Sequence, residues 1–239
     1  MRTEIVIVGT SNDGRSAEYE FKCKPGAPSR APCVITPYHL RLDWLAWFAG
    51  CFGSYQQYPF TVQIVDKLLQ PPPAASKSGS LVATLPWPLA VATDVRHLLA
   101  HDPFGGGEAP PLTVRIHLYE YRFTPPALVG VLRGLNLRLS GPSGAFDTEA
   151  VGQELCARVP AAWAWPRGRN CRAEARWADD GSGAYVAVVD EGGGRFDIGL
   201  WWTRAPRREW LPAIERNNPS VQMFLKAHGM SPEGYSRQP

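Results

Sequence analysis

Leu112-Thr113-Val114-Arg115-Ile116-His117-Leu118-Tyr119-Glu120-Tyr121-Arg122-Phe123 alternates without interruption, and its period decides the fold class. Leu112, Val114, Ile116 and Leu118 fall on one side of a two-residue ladder, and Arg115, His117, Tyr119, Tyr121 and Phe123 on the other. Both sides carry bulk, so neither face of this strand is simply solvated.

Working outward, residues 4–9 form a continuous apolar run closed by Ser11-Asn12-Asp13-Gly14, and Tyr19, Phe21 and Cys23 then alternate with Glu18, Glu20 and Lys22. That is a strand, a turn and a half-buried strand. Glu18 and Glu20 share one face, read as solvated and paired with Lys22 and Lys24 rather than as a catalytic carboxylate pair. Lys24-Pro25-Gly26, Pro28 and Pro32 make a rigid loop up to Cys33. On the C-terminal side, strand signals recur around Leu135, Leu137 and Leu139, in a hairpin of residues 171–177 and 185–190, and in Phe196–Thr203, where Phe196, Ile198, Leu200 and Trp202 alternate.

Helices occupy the middle and the end. Thr36-Pro37 has the form of an N-cap and first-turn proline, followed at helical spacing by Leu40, Trp44, Trp47, Phe48, Cys51 and Phe52, with Gly53 as terminator. A second helix from about Pro59 places Ile64, Val65, Leu68 and Leu69 on one face and stops at Pro71-Pro72-Pro73, where an exposed linker over 71–80 begins. Thr93 is expected to cap a third, short helix carrying Val95, Leu98 and Leu99, and residues 213–228 a terminal helix. The fold class is therefore α+β: a mainly antiparallel, sandwich-like sheet with two or three packed helices. Residues 4–9, 18–23, 112–123 and 196–203 are expected to share the sheet, and the helix of residues 37–52 to bury Trp44 against it.

The chain has 239 residues, 44% of them hydrophobic, enough to bury a sizeable core. Twenty-five bases against 22 acids leave a net charge of +3, which gives nucleic-acid binding little support. Residues 201–239 carry a weak basic excess, Arg204, Arg207, Arg208, Arg216, Lys226 and Arg237 against Glu209, Glu215 and Glu233. No apolar run approaches the roughly 20 residues of a spanning helix. The opening residues read as a strand and not as a signal peptide.

Chemistry-bearing motifs are sparse. His97 and His101 alone have the i, i+4 spacing of paired helix ligands, but Leu98 stands where a zinc protease places its general base. Surface or packing roles suit them better, and an enzyme or small-ligand module using His97, His101 and the adjacent loop is the alternative. Gly181-Ser182-Gly183 is a hairpin turn and not a nucleophile elbow, and Gly105-Gly106-Gly107 precedes no helix and cradles no phosphate. Catalytic, cofactor and metal residues are accordingly not expected. The cysteines Cys23, Cys33, Cys51, Cys156 and Cys171 show no CxxC spacing; two sequence-local pairs and one leftover are compatible with either redox compartment. Trp201-Trp202 puts one indole on each face of its strand, the inner one as core and the outer as a possible binding face.

One long stretch is more specific. Tyr19-Glu20-Phe21-Lys22-Cys23-Lys24-Pro25-Gly26, Arg30-Ala31-Pro32-Cys33 and Pro37-Tyr38-His39-Leu40-Arg41-Leu42-Asp43-Trp44-Leu45-Ala46-Trp47-Phe48 closely resemble the lipase maturation factor family. Asp102-Pro103-Phe104, Tyr119-Glu120-Tyr121-Arg122-Phe123 and Trp201-Trp202-Thr203-Arg204 continue the resemblance in order. It covers residues 1 to about 126 and 196 to about 215, which implies a single domain over 1–239 with an insertion at 130–194 and a disordered tail at 230–239. The resemblance further implies a non-catalytic folding factor of the endoplasmic reticulum whose C-terminal domain faces the lumen. Its partner would be a client lipase, and membrane association would run only through spans absent from this chain. Luminal residence would allow a Cys23–Cys33 disulfide, with Cys156–Cys171 as a second candidate and Cys51 left as a thiol.

Overall fold

The computed structural model describes residues 2–33, 41–71, 95–104, 109–139, 171–178, 181–190 and 193–230. Its strands are β1 (Arg2–Thr10), β2 (Ser16–Phe21), β3 (Leu99–His101), β4 (Thr113–Phe123), β5 (Cys171–Trp177), β6 (Ala184–Asp190), β7 (Arg195–Ile198) and β8 (Trp202–Glu215). They form an eight-stranded, mainly antiparallel sheet in the order β3-β2-β1-β4-β8-β7-β6-β5. Four α-helices lie among the described residues: α1 (Arg41–Phe52), α2 (Phe60–Leu69), α3 (Pro126–Leu139) and α4 (Pro219–Ala227). This is the α+β class that the sequence implies. By contacts the chain divides into two compact units, and β4 and β8 each contribute residues to both.

The larger unit comprises residues 4–22, 37–118 and 208–239. Its core joins Ile5, Ile7, Tyr19 and Phe21 of the first two strands to Val65, Leu68 and Leu69 of α2, to Val114, Ile116 and Leu118 of β4, and to Trp210, Leu211 and Ile214 of β8. The β1–β2 turn is tight because Asp13 accepts the Arg15 amide at 3.1 Å and Gly14 takes a φ of +84°. The last carbonyls of α2 are capped from outside the helix: Arg96 donates to the Leu68 and Gln70 oxygens at 3.1 and 2.7 Å, and Arg216 to the Leu69 oxygen at 2.7 Å.

Arg96 also pairs with Asp102 at 3.1 Å, and here the expected third helix gives way to a single 3-10 turn, Arg96–Leu98, running into β3. With its guanidinium fixed on α2 and Asp102, the segment has too few residues before Pro103 to propagate an α-helix. The expectation that α1 buries Trp44 is also overturned. The helix turns Ala46, Ala49 and Gly50 inward, small residues that permit close backbone approach, and leaves Trp44 46% and Phe52 66% exposed. The carboxylate Glu20, expected on a solvated face, is buried on β2 opposite His101.

The second unit comprises residues 1–3, 23–36 and 119–207. Its core cluster is Leu128, Leu132, Ala173, Val186, Val188 and Ile198. The hairpin β5–β6 pairs from Cys171↔Asp190 to Trp177↔Ala184, as its sequence pattern implies. Leu135, Leu137 and Leu139, read above as strand, belong instead to α3. Pro126 occupies its first turn, Leu128 and Leu132 recur at i, i+4 and are buried, and five alternating residues are too few to outweigh that. The single strand expected over Phe196–Thr203 is broken at Gly199–Trp201 into β7 and β8.

β8 then continues to Glu215 where a helix was expected, and carries Trp210, Leu211 and Ile214 into the core of the larger unit. The helix waits until α4, where Asn218 caps the Ser220 amide at 3.0 Å and Pro219 opens the first turn. Thr36, Pro37, Tyr38, His39, Thr93, Gly105 to Gly107, Cys156, residues 72–80 and 231–239, and Asp179 and Asp180 of the 171–190 hairpin loop lie outside the described residues.

Candidate functional site: a docked disulfide loop and two aromatic surfaces

Cys23 and Cys33 are disulfide-bonded, with Cα atoms 5.2 Å apart, and close the proline-rich loop between them. Cys171 is also disulfide-bonded, and its candidate partner Cys156 lies outside the described residues. Cys51 is not disulfide-bonded.

The loop is docked within the second unit almost wholly by its own carbonyls. The amides of Trp201 and Trp202 donate to the Pro28 oxygen at 3.2 and 3.0 Å. Tyr121 Oη donates to the Gly26 oxygen at 2.9 Å, and Arg204 Nη1 reaches both that oxygen at 3.4 Å and Tyr121 Oη at 3.1 Å. Ser29 Oγ donates to the Gly183 oxygen at 3.1 Å. Gly199 sits so close that a Cβ there would lie 2.2 Å from the Pro28 carbonyl carbon. Thr124 holds this corner through its hydroxyl, 2.7 Å from the Gly199 oxygen.

A buried charge pair fixes the arrangement. Arg204 and Asp197 are 1% and 0% exposed and joined at 3.0 Å, with Arg195 on the second Asp197 oxygen at 2.9 Å. The Arg204 guanidinium lies 4.8 Å above the Tyr119 ring. Such a pair stabilises only when its remaining donors are satisfied, and the Gly26 oxygen, Tyr121 and Tyr119 do this. Chemically, the assembly holds shape; its ionisable groups are spent on one another.

Exposed aromatics form two surfaces, one in each unit. In the second unit, Phe123 is 67% exposed and stacks on Trp202 with centroids 4.6 Å apart, and Trp201 is 45% exposed beside it in the chain. In the larger unit, Trp44, Phe48 and Phe52 recur at i, i+4, i+8 along α1, with centroid separations of 4.5 and 5.5 Å, and Trp47 packs edge-on to Phe48 at 5.1 Å. A ladder of rings along one helix face, open at both ends, is suited to apolar protein contact.

Of the residues quoted for the resemblance, Pro25, Gly26, Tyr119, Tyr121, Phe123, Trp201 and Trp202 fall in the second unit. Tyr19 and Phe104 meet in the other, 5.7 Å apart, where burial holds the Tyr19 phenol far above its ordinary pKa, assisted by nearby Asp102. Lys22 and Pro32 are exposed, Arg41 heads α1, and Leu42 packs on the core. His97 and His101 do not share a helix face, one lying in the 3-10 turn and the other in β3. No trio of histidine, cysteine and carboxylate side chains suited to a metal occurs among the described residues, and none of their helices is long and apolar enough to cross a membrane. The sequence reading missed Asp197 and Gly199, and took Arg204 only as part of a basic tail and of the run Trp201–Arg204 that carries the resemblance. A buried-type Trp-Trp strand start flanked by Asp and Arg was the available signal.

The fold and site define an α+β domain built around a carbonyl-docked disulfide loop and bearing aromatic contact surfaces. Residues 1–88 match the family model of the lipase maturation factor C-terminal domain. It is 41% identical to lipase maturation factor 1 of Homo sapiens over 131 residues, which is 52% of this chain and 19% of that protein. Lipase maturation factor 1 of Bos taurus is 40% identical over the same shares. Lipase maturation factor 2 of Gallus gallus is 31% identical over 153 residues, 63% of this chain and 18% of the relative. The chain thus spans about a fifth of the length of these relatives. No solved structure matches.

Proposed function

We propose that this domain is a non-catalytic folding factor that holds immature secreted lipase through its exposed aromatic surface, on the luminal side of the endoplasmic reticulum. The observation that carries the reading is the ring ladder of Trp44, Phe48 and Phe52, half-buried at Phe48 and exposed at its two ends, on a helix that buries its small residues instead. Partly folded clients expose apolar surface, and rigid aromatic rings cover it at low entropic cost. The relatives' name supplies the client class, and the Cys23–Cys33 disulfide suits an oxidising compartment. Residues 130–194 are proposed as an insertion into this family domain.

The test is capture of secreted lipase by the purified chain, comparing client arrested before maturation with the folded enzyme. The immature form should be retained selectively, and a Trp44→Ser/Phe52→Ser variant of unchanged thermal stability should lose most of that retention. Equal capture of both forms, or capture untouched by the double variant, would refute the proposal.

A further inference from the structure

The loop closed by Cys23 and Cys33 is buried without belonging to a core. Lys24 to Ser29 are all buried, yet among the described residues the loop contributes to neither hydrophobic cluster. Its seat is polar: the Pro28 oxygen takes the Trp201 and Trp202 amides, and the Gly26 oxygen takes the Tyr121 hydroxyl and Arg204. Hydrogen bonds of this kind add little each in net terms, since water solvates the groups once they part. A segment held in this way leaves its seat without opening the apolar interior, as the low-stability units of a fold do.

The ring through the cysteines supplies the missing constraint. The Gly26 and Pro28 oxygens meet donors from β4 and from the start of β8 together only while the chain between the cysteines stays bent. Closing that chain removes its open conformations and so favours the docked one. Both cysteines are half-buried and not sealed, which leaves the bond within reach of an attacking thiolate.

We propose that the Cys23–Cys33 bond is a redox latch, whose reduction by a dithiol donor releases the loop from Gly199 and uncovers the donors of Trp201, Trp202, Tyr121 and Arg204. A donor thiolate attacks one of the two sulfurs to form a mixed disulfide, and the other sulfur leaves as a thiolate. The donor's second thiolate then attacks the mixed disulfide and frees the first sulfur. Two electrons and two protons pass to the loop, which ends as two thiols, and the donor ends as a disulfide. The uncovered amides belong to the residues that carry the second aromatic surface, where Trp201 is exposed and Phe123 stacks on Trp202. The latch therefore governs that surface and does not depend on the ring ladder of α1.

The experiment is stepwise reduction of the full chain with dithiothreitol. Thiol alkylation and mass spectrometry report which cysteines have opened, and hydrogen exchange reports individual amides. Once Cys23 and Cys33 react, exchange at Trp201 and Trp202 should quicken about tenfold or more, while Val186 and Val188 in the core of the same unit keep their protection. Cys23→Ser/Cys33→Ser without reductant should reproduce that pattern, which separates this bond from the one at Cys171. If that variant does not accumulate, the titration of the unaltered chain decides. Amides of Trp201 and Trp202 that stay protected in the opened chain overturn the proposal, because docking would then not need the bond. Simultaneous loss of protection at Val186 and Val188 overturns it too, making the bond a staple of the whole unit, as does a bond that dithiothreitol opens only in denaturant.

Discussion

Gly199→Ala adds one methyl group and should cost the protein more than most core truncations of that size. The new Cβ would stand 2.2 and 2.3 Å from the Pro28 carbonyl carbon and oxygen and 2.5 Å from the Ser29 nitrogen, all main-chain atoms that no rotamer change can move. Relief requires the loop to retreat by roughly 1 Å, which stretches the bonds from the Trp201 and Trp202 amides, now 3.2 and 3.0 Å, beyond useful range. Losing two such bonds costs about 1–3 kcal/mol, and the Gly26 oxygen withdraws with them from Tyr121 and Arg204. Against this, the alanine restricts the unfolded chain by about 0.4–1 kcal/mol in favour of folding. The net expectation is a loss of about 2–3 kcal/mol, measured as a shift in urea midpoint at constant m-value. Gly130→Ala is the matched reference: it lies in α3, where an added Cβ meets open space, and should stabilise by about 0.5–1 kcal/mol. If the two substitutions agree within about 0.5 kcal/mol, the docking of the loop against Gly199 is not what holds it.

Arg204→Met should destabilise by about 3–5 kcal/mol by stranding Asp197, and adding Asp197→Asn should restore part of the loss in thermal unfolding; strict additivity would contradict the pairing. Trp44→Ala should cost under about 1 kcal/mol because the ring is nearly half exposed, whereas Leu68→Ala in the core of α2 should cost about 2–5 kcal/mol; comparable losses would mean that α1 is buried after all. Burial raises the Asp66 carboxyl above its ordinary value, against the opposing pull of the Gln222 side chain at 2.8 Å and of Lys67. The folded state therefore binds that proton more tightly than the unfolded chain, and the group costs stability as pH rises above about 3.8. Asp66→Asn should stabilise by a few tenths of a kcal/mol at pH 7, after solvent screening, and by nothing below about pH 3; an equal gain at both would exclude the carboxyl as its source.

The sequence made the sheet legible wherever alternation ran long enough. Residues 112–123 and the 171–190 hairpin could be read at sight, because period-2 burial on both sides of a turn has few rivals. Short patterns failed for a definite reason: at Leu135 to Leu139 a helix nucleated upstream by Pro126 simply ran through the alternation. α1 failed differently. Its abundance of large apolar rings signals burial in any periodicity argument, yet the core took Ala46, Ala49 and Gly50, and no local rule distinguishes a helix that packs by its small residues from one that packs by its large ones. The pairing of Asp197 with Arg204 across Gly199 was invisible because it depends on where the chain turns, and the turn was hidden inside an apparently continuous strand.

Backbone recognition of the loop sets an order of events during synthesis. Gly26 must wait for Arg204, 178 residues later in the chain, and for Tyr121, 95 residues later, before its oxygen finds either donor. At about 5–20 residues per second that is roughly ten to thirty seconds in which the segment has emerged and its receptor has not. A ring closed over ten residues needs no distant partner, so the loop can acquire its shape at once and keep it through the delay. The N-terminal segment thus behaves as a prefabricated part. Because it is gripped largely by main-chain oxygens, its docking depends on Gly199 leaving room for the Pro28 carbonyl.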